Sequence, residues 1–100
     1  MTDVLDAPDR GRFERREAGG TAFADYRLEG EVLTITHVES PPALRGTGAA
    51  GRLMQGVCEI ARARRLTIRP LCTYAARYIQ SRPALADLLA EAEVKGPPRA

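Results

Sequence analysis

Apolar and polar residues alternate from Thr21 to Glu29. Ala22, Ala24, Tyr26 and Leu28 share one face, and Phe23, Asp25 and Arg27 share the other. A period of two predicts a half-buried strand. Val32 to Glu39 (VLTITHVE) is dense in β-branched residues and predicts a second strand, with Leu33, Ile35 and His37 on one face and Val32, Thr34, Thr36 and Val38 on the other. Upstream, Phe13, Arg15 and Glu17 alternate with Arg12, Glu14 and Arg16, the charge-rich pattern of an exposed edge strand. Turns at Gly19-Gly20 and Gly30-Glu31 join the three into an antiparallel meander.

After Ser40-Pro41-Pro42 the period changes. Ala50, Leu53, Met54, Val57, Cys58 and Ala61 recur at three- and four-residue spacing, which predicts a helix from about Gly48 to Arg65 with Arg52, Gln55, Glu59 and Arg62 on its outer face. Leu66 to Cys72 reads as a fourth strand and Thr73 to Gln80 as a second helix. A further helical piece, Pro83 to Glu91, would be capped by Ser81 and buried through Leu85, Leu88 and Leu89. The expected organisation is a flexible N-terminus over 1–11, one domain over 12–91 and a flexible tail over 92–100. There is no internal repeat and no low-complexity segment.

Composition narrows the function classes. A chain of 100 residues makes one small domain, and 44% hydrophobic with 28% charged residues is the balance of an ordinary soluble globular protein. A net charge of +2 does not point to a nucleic-acid binder. The one local excess, Arg62, Arg64, Arg65 and Arg69, suits a solvated helix end, where cations are favoured. Cys58 and Cys72 do not form a metal-ligand spacing, so no metal is expected. No apolar run approaches a membrane span and no secretory leader opens the chain, so a cytoplasmic protein is expected.

The glycine-rich stretch Arg45-Gly46-Thr47-Gly48-Ala49-Ala50-Gly51 carries the chemistry. It fits G-x-G-x-x-G, but the dinucleotide reading also needs a doubly wound parallel sheet and an acid after the next strand. Here a meander precedes the loop and the next strand ends in Leu71-Cys72-Thr73, with no acid, so NAD is not expected. No Gly-Lys-Ser/Thr exists for a Walker loop. Glycines before a helix start still let backbone N–H groups approach an anion.

Arg45 to Ala50 also fits [Q/R]-x-x-G-x-[G/A], with Ile35-Thr36-His37-Val38 before it and Arg69-Pro70-Leu71-Cys72-Thr73-Tyr74, Tyr78 and Pro83 after it. In these residues the chain resembles the minimal, single-domain branch of the GCN5-related N-acetyltransferase family, over roughly residues 12 to 90. The resemblance implies an α+β (α/β) fold: an antiparallel three-stranded meander followed by a β-loop-α-β-α cofactor-binding half. It implies an acetyl-CoA-dependent N-acetyltransferase acting on an amine of a small molecule or protein, with a non-catalytic acyl-CoA-binding module as the alternative. The diphosphate would sit on Arg45, Gly46, Thr47, Gly48, Ala49 and Ala50. The pantetheine arm would run between two splayed strands near Val38 and Glu39 on one side and Cys72 and Thr73 on the other, with Tyr78 and Arg82 also reaching the cofactor.

Amide formation needs a base for the amine and an acid for the departing thiolate. His37, the single histidine, is either a half-buried core residue or the base; Glu39 is the alternative base or a solvated strand end. Cys72 is either an acyl-accepting nucleophile, its thiolate favoured by the helix that follows, or a small hydrophobe beside the pantetheine. Tyr74 and Tyr78, one helical turn apart, are either packing residues or the acid. Cys58, on the apolar stripe, is expected in the core.

Overall fold

Proline and glycine set the boundaries of the elements, and the computed structural model describes residues 2–90. Leu5–Ala7 (β1), Arg12–Glu17 (β2), Gly20–Glu29 (β3) and Val32–Glu39 (β4) form an antiparallel meander, and Thr67–Pro70 (β5) joins β4 in parallel, giving the order β1-β2-β3-β4-β5. Parallel pairing requires a crossover, supplied by α1 (Ala49–Ala63). A short helix, α2 (Thr73–Gln80), and two 3-10 turns, Pro42–Leu44 and Pro83–Leu88, complete the fold.

Leu53, Met54, Val57 and Ala61 of α1 are fully buried with Phe13, Ala22, Ala24, Leu33, Ile35 and Ile68 of the sheet. Each large side chain removed from water contributes roughly 1.5–3 kcal/mol. Truncating Leu53 would cost about 2–5 kcal/mol, because the cavity adds to the lost transfer energy. The helix ends in a Schellman arrangement: the Leu66 N–H donates to the Ala61 carbonyl (2.8 Å) and the Arg65 N–H to that of Arg62 (3.2 Å). The left-handed position is Arg65 (φ 60°), where glycine is usual.

The α+β architecture expected from the sequence is present, with four differences in detail. Residues 1–11 were expected to fray, yet Leu5, Asp6 and Ala7 pair with Glu14, Phe13 and Arg12. Val4 is buried against α1 at Gly56, where a Cβ would collide with Val4 and Thr2. Asp6 then accepts from the Tyr26 hydroxyl (2.6 Å) and from Arg64 (2.9 Å). Strand β2 is therefore an interior strand, not the edge. Second, β3 and β4 change register: Asp25 opposes His37 but Tyr26 opposes Ile35, leaving Thr36 as an extra residue. The bulge turns His37 away from the face of Leu33 and Ile35, so His37 is exposed and not a core histidine. Third, the last helical piece is the 3-10 turn Pro83–Leu88. Ser81 closes α2 instead of capping that turn, its N–H donating to the Arg77 carbonyl and its hydroxyl to that of Tyr78. Fourth, α1, expected from about Gly48 to Arg65, and β5, expected from Leu66 to Cys72, are each shorter at both ends, whereas β4 has its expected bounds. Leu89 bridges Ile68 beside β5. Glu91 and the expected tail over 92–100 lie outside the described residues.

Candidate functional site

Strand β4 leads into the glycine loop through the Pro42–Leu44 turn, which buries Leu44 as an anchor. Both the N–H and the hydroxyl of Thr47 donate to the Leu44 carbonyl oxygen (3.2 and 2.6 Å). Gly46 and Gly48 flank Thr47 at φ 79° and 86°, a backbone region open to glycine at little cost. Gly48 is the N-cap of α1. It offers no side chain to the helix, and no acidic residue lies in the first turn. The first helical bond runs from the Arg52 N–H to Gly48 (3.0 Å), so the amides of Ala49, Ala50 and Gly51 have no acceptor within the helix. The same three residues line a cavity of about 270 Å³ together with Ser40, Leu44, Arg45, Gly46, Gly48 and Tyr74. A helix N-terminus with free amides attracts an anion.

Beside this cavity two strands part. Strand β5 pairs with β4 only as far as Ile35 and Pro70, and the N–H groups of Leu71 and Cys72 both donate to the Ile35 carbonyl oxygen (3.0 and 3.2 Å). The chain then turns into α2. Among the described residues Thr36 to Glu39 have β3 as their one neighbouring strand, which leaves the other edge of β4 open at the bulge. On that stretch His37 Nε2 lies 2.7 Å from Glu39 Oε1, and Arg45 approaches the same carboxylate at 3.9 Å. Across the gap, half-buried Cys72 holds the N-cap position of α2, and its thiol has no hydrogen-bond partner among the described residues. Thr73, exposed, begins the helix.

Tyr74 is 41% exposed, and its hydroxyl lies 3.6 Å from where a Cβ on Gly51 would stand, over the first turn of α1. Tyr78 is 9% exposed and belongs to an adjoining groove of about 610 Å³ between α1 and the Pro83–Leu88 turn. Burial pushes the Tyr78 hydroxyl above the usual tyrosine value, so it stays protonated at neutral pH. The Arg82 guanidinium lies 3.7 Å over the Tyr78 ring. Cys58 forms part of the wall of this groove; burial pushes its thiol up to about 11.

A family profile described as "GCN5-related N-acetyl-transferase" matches residues 12–88. The chain belongs to the GCN5-related N-acetyltransferase family. Among solved structures, a GCN5-like protein of Staphylococcus aureus, determined by NMR in solution, superposes with a TM-score of 0.63. The two are 21% identical, and the match covers 90% of this chain and 91% of that one. At that identity the likeness establishes the fold alone. No curated protein matches the chain.

In this member of the family most of the sequence-expected site residues lie in one region. Arg45, Gly46, Gly48, Ala49, Ala50 and Tyr74 border the loop cavity, while Thr47 is turned into the Leu44 carbonyl; Val38, Glu39 and His37 lie on the open edge of β4; Cys72 and Thr73 stand opposite. Tyr78 and Arg82 lie farther along, in the adjoining groove. Among the described residues no group of three His, Cys, Asp or Glu side chains could hold a metal ion, and no helix is long and apolar enough to cross a membrane. Two of the clustered arginines are engaged in tying elements together: Arg62 to Asp87 (2.7 and 3.1 Å) and Arg64 to Asp6. Sequence reasoning placed Arg52 on an outer helix face and missed its bonds to the loop and to Glu17; no periodic signal marks a pair 35 residues apart.

Proposed function

We propose that this member of the family binds acetyl-CoA and transfers the acetyl group directly to an amine. The observation that carries the reading is the juxtaposition of the free amides of Ala49, Ala50 and Gly51 with the open edge of β4. The site fits the group in chemistry as well as in shape. Gly46 and Gly48 present no side chain toward the cavity, Arg45 adds positive charge at its rim, and among the described residues no carboxylate lines it. The amides of Ala49 and Ala50 would hold the diphosphate with the helix dipole behind them. Free backbone groups near Val38 and Glu39 would pair with the amide-bearing arm, with Cys72 and Thr73 as the opposite wall.

Bound acetyl-CoA supplies a thioester carbonyl open to attack by an amine. His37 would take the proton from that amine. Glu39 holds Nε2, which favours the tautomer with Nε2–H donating to the carboxylate and leaves Nδ1 as the proton acceptor. Tyr74 or Tyr78, on the helix that follows Cys72, would return a proton to the departing sulfur. Direct transfer is favoured over an acyl-enzyme because, among the described residues, no base is hydrogen-bonded to the Cys72 thiol, whereas an activated nucleophile has one within reach.

Thermal unfolding with CoA, acetyl-CoA and NADH tests the binding step. Stabilisation by the first two and not by NADH is expected; stabilisation by NADH alone would refute the reading. Labelled acetyl-CoA offered with a panel of primary amines separates a transferase from an acyl-CoA-binding module, since the module would bind but transfer no label.

A further inference from the structure

Gly46-Thr47-Gly48 has the most permissive backbone in the site, so something outside the loop must fix its shape. Arg52 is the side chain that reaches it. Its guanidinium Nε and one terminal nitrogen both donate to the Glu17 carboxylate (2.9 and 2.8 Å), and the other terminal nitrogen donates to the Thr47 carbonyl oxygen (3.0 Å). Three acceptors are thus met by one planar fork, a geometry open to arginine and not to lysine. The same terminal nitrogen lies 3.1 Å from where a Cβ on Gly48 would stand. Arg52 is not among the residues lining the cavity, so it grips the loop from outside the proposed anion site.

Glu17 is itself anchored. It ends β2, and Arg15 also bonds its carboxylate. The β2–β3 turn that follows presses on the segment leading into the loop: a Cβ on Gly20 would lie 2.6 Å from Pro41, and one on Gly19 would lie 3.2 Å from Leu44. The hairpin end therefore backs the loop twice, by close packing and by the ion pair.

We infer that Arg52, locked to Glu17, is a positioning residue that holds the Gly46–Gly48 backbone in its anion-receiving shape. The role for ligand affinity rests on the proposed binding of CoA; the role in loop shape does not. The hydrogen bond from Arg52 holds the Glu17 carboxyl below the usual carboxylate range, which keeps the clamp ionised at neutral pH.

The test uses the full chain with Arg52→Ala, Arg52→Lys, Glu17→Gln, Glu17→Ala and the double alanine variant. Without ligand, hydrogen exchange at the Thr47 amide is followed by NMR; with CoA, affinity is measured by calorimetry. Arg52→Ala and Glu17→Ala should each speed Thr47 exchange and raise the CoA Kd about tenfold, the double variant adding little, as expected for two members of one unit. Arg52→Lys should not rescue, and Glu17→Gln should fall between. Two results would overturn the inference: unchanged Thr47 exchange in both single alanine variants, or a raised Kd for Arg52→Ala with an unchanged Kd for Glu17→Ala, which would make Arg52 a direct phosphate ligand. If the wild type fails to bind CoA while Thr47 exchange responds as expected, the proposed function falls and the clamp stands.

Discussion

The Cys72 amide donates to the carbonyl oxygen of Ile35 at 3.2 Å, which pins the cysteine to the last residue of β4 that β5 still accompanies. The thiol therefore sits at the mouth of the strand gap by backbone geometry, whatever its chemistry. With no base on its sulfur, Cys72 is expected to serve as wall. Cys72→Ala should retain acetyl transfer within about tenfold, the scale of a lost packing contact and not of a lost nucleophile. Intact mass spectrometry of the wild type after acetyl-CoA should show no acetylated Cys72. An acetyl adduct that vanishes in Cys72→Ala, with activity, would establish the covalent route.

The two loop glycines separate backbone strain from steric blockage. A Cβ on Gly46 would meet no atom within 4 Å, while one on Gly48 would press on Arg52. Gly46→Ala should therefore cost stability alone, about 1–2 kcal/mol for a side chain in the left-handed region. Gly48→Val carries the same strain and also pushes on the Arg52 guanidinium that holds the Thr47 carbonyl, which distorts the proposed diphosphate cradle. Its CoA Kd should rise by more than about tenfold, the factor that 1.4 kcal/mol represents. Equal CoA affinity in wild type and Gly48→Val, by calorimetry on protein with native circular dichroism, would contradict the cradle.

His37 and Glu39 make a separable pair. A general base contributes roughly 10²–10⁴-fold, so His37→Gln should lower kcat by that order with little change in the KM for acetyl-CoA. Glu39→Gln keeps an acceptor for Nε2–H and should lose far less. If Glu39→Gln loses as much as His37→Gln, the carboxylate is the base; if neither changes kcat, the proton leaves by another route.

The periodic parts of the fold were legible. Strands β3 and β4 and helices α1 and α2 follow from alternation and from three- and four-residue spacing, because one-sided burial imprints those periods. The glycine loop was legible because positive φ at Gly46 and Gly48 demands that residue type. Strand β1 was not: three residues carry no alternation, and they pair because Val4 fits against Gly56 and Asp6 meets Tyr26 and Arg64. The face of His37 was misread because one extra residue, Thr36, reverses the parity of everything after it. The Arg52–Glu17 clamp was invisible because an arginine and a glutamate far apart in sequence look like two solvated charges until β2 and α1 are brought together.

Arg65 offers a test of the fold alone. It occupies the left-handed position of the Schellman motif, is exposed and lies away from the loop. A non-glycine residue there costs about 1–2 kcal/mol, and glycine returns part of that as unfolded-state entropy. Arg65→Gly should therefore stabilise the domain by roughly 0.5–1 kcal/mol, raising Tm by several degrees in a chain of this size. A lowered Tm would mean that the Arg65 side chain makes a stabilising contact.

Cys58 gives a pH test of the buried wall between α1 and α2. Burial raises its thiol from 9.0 to about 11 in the folded state. A group raised on folding adds stability that is complete below its unfolded value and is lost as pH climbs toward the folded value. Between pH 9 and 11 the unfolded chain sheds this proton and the folded chain does not. The loss is on the order of 2 kcal/mol, from 1.36 kcal/mol per unit. Cys58→Ala lacks this term but loses some packing, about 1 kcal/mol. The wild type should thus be the more stable protein at pH 8, and its advantage should shrink or reverse by pH 10.5 in denaturant titrations. At pH 8 iodoacetamide should modify Cys72 long before Cys58. A stability difference that stays constant across that range, or equal labelling of the two thiols in the folded state, would show that Cys58 is open to solvent and that α2 does not seal the groove wall.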